Sequence, residues 1–258
     1  MKYPNLEKLV DIIAVLRGEN GCPWDREQTH KSLRPNMLEE AYEAVDAIDD
    51  GDISNLREEL GDVLLQVVLH SQIAKDNGEF DIEDVAKELS DKLIHRHPHV
   101  FGTEKVSSAD DVVVNWDKLK KEEKTNRKSI LDGISKSQSA LMSAQKISKK
   151  VVKVGFEWES VESLKDCIKS EYTEFENAVK ASDKEQMEDE MGDIFFATVN
   201  LARWYKIDAE QALLRANKKF IKRFKKMEEI KTKPFEEYSF EEFNNLWKQA
   251  KILIEKEK

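Results

Sequence analysis

Four acidic residues recur in register along this chain: Glu40, Glu43, Glu59 and Asp62 in the first half, and Glu171, Glu174, Glu190 and Asp193 in the second, each 131 residues from its counterpart. An interval held constant over four positions marks an internal duplication, so the chain must fold as two versions of one unit. Each set reads Glu-x-x-Glu, a gap, then Glu-x-x-Asp. A three-residue step on an α-helix puts both acids of a pair on one face. Two such helices packed antiparallel aim four carboxylates at a common point.

Helical periodicity fills both halves. Leu6, Leu9, Val10, Ile13 and Leu16 recur at helical spacing and stop before Gly18 and Gly21, a helix followed by a turn. The second half opens the same way: Leu141, Ala144, Ile147, Val151 and Val154 lead into Gly155-Phe156-Glu157-Trp158-Glu159, the counterpart of Gly21-Cys22-Pro23-Trp24-Asp25. Pro35 suits the first position of a helix running Met37 to Asp49 on an apolar stripe of Leu38, Ala41, Val45 and Ile48, with Glu40 and Glu43 beside it. After a Gly51-Asp52 turn comes a helix from about Ile53 to Lys75, capped by Asp52 or Ser54. Ser182-Asp183 and the stretch Glu185 to Tyr205 match them in the second half. No period-two strand pattern appears and glycine totals only nine, so a sheet would lack both strands and turns. The class is all-α, with two tandem duplicated helical bundles. Ten of the eleven residues from Lys118 to Lys128 are polar or charged, which places the boundary near residues 122 to 135 and the domains at 1–125 and 126–258.

Charge and cysteine content narrow the functional classes. A net charge of -10 argues against a dedicated nucleic-acid binder, because neutralising a phosphate backbone needs clustered Lys and Arg. Cys22 and Cys167, one per half, imply no disulfide framework and point to a reducing compartment. The opening Met1-Lys2-Tyr3-Pro4 starts no apolar signal, and the apolar stretch Val63 to Leu69 is far short of the ~20 residues that span a bilayer. The expected protein is soluble and cytoplasmic, without a membrane partner.

In a chain with 52 Asp plus Glu, a single Glu-x-x-Glu pair is ordinarily a solvated face. Two facts work against that reading here. Glu59 and Asp62 run into Val63-Leu64-Leu65-Gln66-Val67-Val68-Leu69, and Glu190 and Asp193 into Ile194-Phe195-Phe196-Ala197-Thr198-Val199, helices too apolar for a wide wet face. Acids at the mouth of a buried helix need a partner. The quartet is also repeated whole, and four converging carboxylates without a cation would repel and hold protons. Oxygen-only sets suit hard cations, and Mg²⁺ keeps waters and accepts substrate phosphates, which points to phosphate-ester or anhydride chemistry. A di-iron bundle needs Glu-x-x-His on paired helices, but His30, His70, His95, His97 and His99 all lie in the first half.

Positive charge is duplicated as well. Lys92 and Arg96 align with Lys219 and Arg223, each pair at i, i+4, as a polyphosphate-binding face or a plain basic helix end. His95, His97 and His99 do not make a duplicated zinc site, because Lys222 and Phe224 replace two of them. Trp116 and Trp247 form the third repeated element, as core residues or base-stacking platforms.

These segments together resemble a known family. Leu38-Glu39-Glu40-Ala41-Tyr42-Glu43, Glu58-Glu59-Leu60-Gly61-Asp62, Gly21-Cys22-Pro23-Trp24-Asp25, Arg96-His97-Pro98-His99-Val100-Phe101 and Val154-Gly155-Phe156-Glu157-Trp158 look like the two-domain MazG nucleoside triphosphate pyrophosphohydrolases. The likeness covers essentially the whole chain. It implies an all-α, Mg²⁺-dependent enzyme, with Mn²⁺ as a substitute, that splits a nucleoside triphosphate into monophosphate and pyrophosphate. The family motif Glu-Glu-x-x-Glu then Glu-x-x-Asp is complete at Glu39, Glu40, Glu43, Glu59 and Asp62, with Glu39 as a supporting acid. In the second half Ser170 replaces the first Glu, while the quartet is kept. By resemblance the second half is usually the more competent catalytic unit, with Lys219, Arg223 and Trp247 matching its nucleotide-binding positions, while Ser170 leaves open which half dominates in this chain.

The reading that follows is water attack at the α-phosphorus. Glu171, Glu174, Glu190 and Asp193 hold Mg²⁺ while Lys219 and Arg223 neutralise departing pyrophosphate. The first-half equivalents are Glu40, Glu43, Glu59 and Asp62 with Lys92, Arg96 and Trp116. The rival readings are a nucleotide sensor or scaffold that binds without cleaving, and a structural four-helix module whose acids bind nothing. Phe195-Phe196 and Trp204-Tyr205 are abundant for so small a unit and predict a homodimer.

Overall fold

A computed structural model of the chain describes residues 3–108, 111–112, 115–116, 119 and 128–256. The chain falls into two compact units, Met1–Thr125 and Asn126–Lys258. Among the described residues there is no strand. Apart from residues 119 and 128, the polar run expected as a linker lies outside the described residues.

The first unit opens with α1 (Pro4–Arg17), where Pro4 sits at a position that needs no N–H. After Gly18 the chain doubles back so closely that the Cys22 N–H donates to the Leu16 carbonyl at 2.8 Å. A Cβ on Gly21 would stand 2.2 Å from that carbonyl oxygen, so the turn needs glycine for space. The segment read as a plain turn then becomes α2 (Pro23–Glu27), because Pro23 presets a helical φ at its first position. Arg17 fixes the corner: its guanidinium donates to the Asp25 and Gln28 carbonyls and pairs with Asp76 at 2.8 Å.

The centre of the unit is a helical hairpin, α3 (Arg34–Asp50) and α4 (Ile53–Asp76). Gly51, at φ +69°, ends α3 in the left-handed conformation. The Asp52 N–H closes α3 on the Ala47 carbonyl, and its carboxylate opens α4 by accepting from Ser54 and Asn55. Asp52, rather than Ser54, is therefore the cap. The expected inward stripe of α3 is corrected. Ala44 and Ala47 are buried, whereas Leu38 and Ile48 are exposed. Small residues let α3 lie close on α4, and the larger apolar ones are left outside. The core gathers Ile13, Leu33, Val68, Leu69 and Ile73. Beyond it, α5 (Ile82–Arg96) starts from a capping box of Asp81 and Asp84 and buries no residue, and α6 (Pro98–Phe101) follows.

In the second unit α7 (Ala140–Val152) packs on a second hairpin, α8 (Val161–Ala181) and α9 (Lys184–Trp204). Ser182 ends α8 at φ +56°, where the first unit has Gly51, and Asp183 caps α9 through the Gln186 N–H. Leu164, Ala178, Ile194, Ala197 and Val199 are buried. Next come α10 (Ala209–Ile230) and α11 (Phe240–Lys256), whose shared core is Met227, Leu246 and Ala250. Gln145 of α7 ties in the α10 start, accepting from the Ala209 N–H and donating to the Ile207 carbonyl.

Candidate metal and nucleotide site

Each hairpin delivers its acids from both helices. One carboxylate oxygen from each of Glu40, Glu43 and Glu59 lies within 4.8 Å of the others, and Glu171, Glu174 and Glu190 repeat the arrangement. Asp62 and Asp193 stand beside these triads rather than within them, yet near enough to act on them. Desolvation and then the charges of Asp62, Glu43 and Glu39 hold Glu40 above the ordinary glutamate range. Glu59 is raised by desolvation and then by Glu43 and Asp62. Glu190 is raised by desolvation and then by Glu174, Glu171 and Asp193. Both clusters are electrostatically unsatisfied.

Around the second triad, Ser170 fills the place of the missing glutamate by donating to Glu174 at 3.1 Å. Glu39, its counterpart, is exposed. Cys167, one turn before Glu171, donates to that carboxylate at 3.3 Å. Burial, Glu171 and the other nearby acids push the Cys167 thiol up to about 11, so it remains a donor at neutral pH. Cys22 and Cys167 are both free thiols.

A cavity of about 620 Å³ adjoins this triad. Glu171 and Asp193 line it together with Phe156, Trp158, Phe196 and Asn200. An aromatic-walled hollow suits a flat, apolar-faced group, and its acidic oxygens would need a cation between them and any anionic tail that group carries.

The basic pairs sit differently. Among the described residues no ion pair joins Lys219 or Arg223 to the acids. The Arg223 guanidinium lies 5.5 Å from the Trp247 ring centroid, and Arg96 lies 5.9 Å from Trp116, so the arginine–tryptophan pair is itself duplicated. Trp247 packs against Phe220 and the Met227 core, half-buried. Lys92 is half-buried on α5, and Lys219 is exposed on α10.

The MazG nucleotide pyrophosphohydrolase domain model matches twice, at residues 28–101 and 159–227. The chain is 44% identical over 249 residues to the nucleoside triphosphate pyrophosphohydrolase/pyrophosphatase MazG of Thermotoga maritima, covering 95% of each. It is also 44% identical to the Escherichia coli nucleoside triphosphate pyrophosphohydrolase over 87% of this chain and 88% of that one. The uncharacterized protein YabN of Bacillus subtilis is 46% identical over 96% of this chain and 52% of its own length.

The chain belongs to the MazG family. Both family matches enclose a triad hairpin and the basic pair that follows it. Within this MazG chain, sequence reasoning picks out the acids but misses Cys167 and Asn200. Cys167 was accessible by periodicity, since Cys167, Glu171 and Glu174 share one stripe of α8, whereas Asn200 shares a stripe of α9 with Asp193 and Ala197 but nothing in that spacing marks it as a site residue.

Proposed function

We propose that this chain hydrolyses nucleoside triphosphates to the monophosphate and pyrophosphate by Mg²⁺-dependent water attack at the α-phosphorus, with Mn²⁺ as a substitute. The observation that carries this reading is the acidic triad built twice on equivalent hairpins, once beside a cavity of about 620 Å³. Three carboxylate oxygens within 4.8 Å of one another fit a hard, oxygen-preferring divalent cation, and no nitrogen or sulfur ligand is needed. Glu171, Glu174, Glu190 and Asp193 would hold it in the second unit, and Glu40, Glu43, Glu59 and Asp62 in the first. Bound there, Mg²⁺ supplies charge neutralisation for the triphosphate and an acidified water.

The remaining work falls to the protein. The cavity takes the nucleoside, with Phe156, Trp158 and Phe196 as apolar walls that keep water from the base. Lys219 and Arg223 neutralise the departing pyrophosphate, as Lys92 and Arg96 do in the first unit. Trp247 and Trp116 hold those arginines by cation–π contact. Ser170 orients Glu174 by a hydrogen bond where Glu39 supports the first triad by charge. The net charge of -10 weighs against a nucleic-acid substrate, and the reading is of free nucleotides in the cytoplasm. Exposed Phe195 and Phe220, each 58% accessible, support a homodimer.

The test is product analysis with Mg²⁺ and each common nucleoside triphosphate. Monophosphate plus pyrophosphate is the expected outcome. Diphosphate plus phosphate would refute α-phosphorus attack, and binding without any release would move the sensor reading to first place.

A further inference from the structure

The floor of the second unit's cavity carries a chain of polar groups that the hydrolytic reading leaves unused. The Arg203 guanidinium donates from Nη2 to Glu157 at 2.6 Å and from Nε to Ser148 Oγ at 2.6 Å. Ser148 Oγ in turn donates to Asn200 Oδ1 at 2.6 Å. Asn200 Nδ2 donates to the Phe196 carbonyl at 2.9 Å. Ser148 and Asn200 are buried, and Asn200 lines the cavity.

The order of donors fixes the Asn200 amide. Arg203 can only donate, so Ser148 accepts from it and spends its single hydrogen on Asn200 Oδ1. That oxygen is committed, and Nδ2 is forced to the other side. One Nδ2 hydrogen goes to Phe196, and the second has no acceptor among the described residues. A buried amide hydrogen beside a cavity is satisfied only by what enters it.

We infer that Asn200 is a specificity-determining residue that reads the nucleobase, donating its second amide hydrogen to a carbonyl oxygen on the base edge. Ser148, Arg203 and Glu157 are positioning residues that hold the amide in that orientation. The inference rests on the reading that the cavity takes the nucleoside. A 6-oxopurine presents an acceptor to this donor, whereas a 6-aminopurine meets it with another N–H. The first unit does not share the device: with the 131-residue interval, Leu69 stands for Asn200, Gln72 for Arg203 and Gln66 for Ala197. Leu69 belongs to the apolar core, and the Gln66 side-chain oxygen is buried without a partner. The Asn200 device therefore belongs to the second unit.

The experiment compares ITP with ATP, purines that differ at the six position and with it at N1, which carries a hydrogen in ITP and none in ATP, in a Glu59→Gln background that silences the first unit. The ratio of their kcat/KM values does not depend on how much of a variant is folded, so it stays readable in a weakened protein. The expected result is an ITP preference of about three- to tenfold, the size of one neutral hydrogen bond. Asn200→Leu, which installs the first unit's residue, should bring the ratio close to one. Ser148→Ala should lower it as well, through KM rather than kcat. An unchanged ratio in both variants, or no ITP preference in the parent, would overturn the inference. If no substrate yields pyrophosphate, the hydrolytic reading fails, and the inference is judged by the ITP-to-ATP ratio of dissociation constants in the same variants.

Discussion

At the residue scale the two triads store repulsion that a cation relieves, and this has a definite sign with pH. Glu40, Glu59 and Glu190 bind protons more tightly folded than unfolded. Between the ordinary value of 4.5 and the raised one, the native state carries the extra protons, so stability rises as pH falls through that window. Glu242 works oppositely but elsewhere: Lys233 and then Ser239 hold it at about 2, so its contribution is lost only as pH falls from about 4.5 toward 2. His70, held low by burial and then by His30, works against this below its ordinary 6.5, so the triads are read from the metal dependence: between pH 5 and 7.5 saturating Mg²⁺ should remove the part of the melting-temperature slope that falls with rising pH. Calorimetry across this range checks it, and equal slopes with and without Mg²⁺ would contradict a cation at the triads. Glu59→Gln combined with Glu190→Gln should raise the metal-free melting temperature, abolish the Mg²⁺ shift and reduce turnover at least about a hundredfold. The acids and their pairing were legible because helical spacing makes a three-residue step a shared face. Asn200 was not legible as a site residue, because its meaning comes from Ser148 and Arg203, contacts that only the packing of α7 on α9 creates.

At the element scale the duplicated hairpins differ at one backbone position. Gly51 ends α3 at φ +69°, and Ser182 ends α8 at φ +56°. A side chain in the left-handed region costs about 1–2 kcal/mol, which glycine avoids. Ser182→Gly should therefore stabilise the second unit by about 1 kcal/mol, and Gly51→Ala should destabilise the first by a similar amount. No atom lies within 4 Å of a Cβ built at Gly51, so that cost is conformational alone. Thermal melting of the two variants should move in opposite directions. A rise on Gly51→Ala would show that the unfolded-state entropy dominates instead. The sequence marks both hairpins through Asp52 and Asp183, since capping is local chemistry. The inward face of α3 escapes it, because the larger Leu38 and Ile48 draw the eye to a stripe that is exposed, while the small Ala44 and Ala47 pack inward.

At the scale of the whole molecule, much apolar surface stays uncovered. Phe195 on α9 and Tyr205 just past its end are exposed, and on α10 so are Leu213, Phe220 and Ile221. No helix among the described residues is long and apolar enough to cross a membrane. A second copy of the chain is the partner we expect on these faces, and light scattering at micromolar concentration should return twice the 29.9 kDa chain mass. Phe195→Glu should shift that mass toward the monomer, and a wild-type monomer would refute the arrangement. The all-α class and the duplication were open to sequence reading because both are written in periodicity. The extent of the uncovered faces was not, since a stripe of apolar residues looks the same whether its own chain or another covers it.

The connection inside each hairpin is two residues long, Gly51-Asp52 in one and Ser182-Asp183 in the other, and it works as a ruler. One inserted residue there would rotate the second helix by about 100° against the first and swing its acids away from the cluster. Length changes are therefore forbidden between Glu40 and Asp62 and tolerated after them. That accounts for the arithmetic of the chain: the acids repeat at 131 without deviation, while the downstream Lys and Arg pairs repeat at 127.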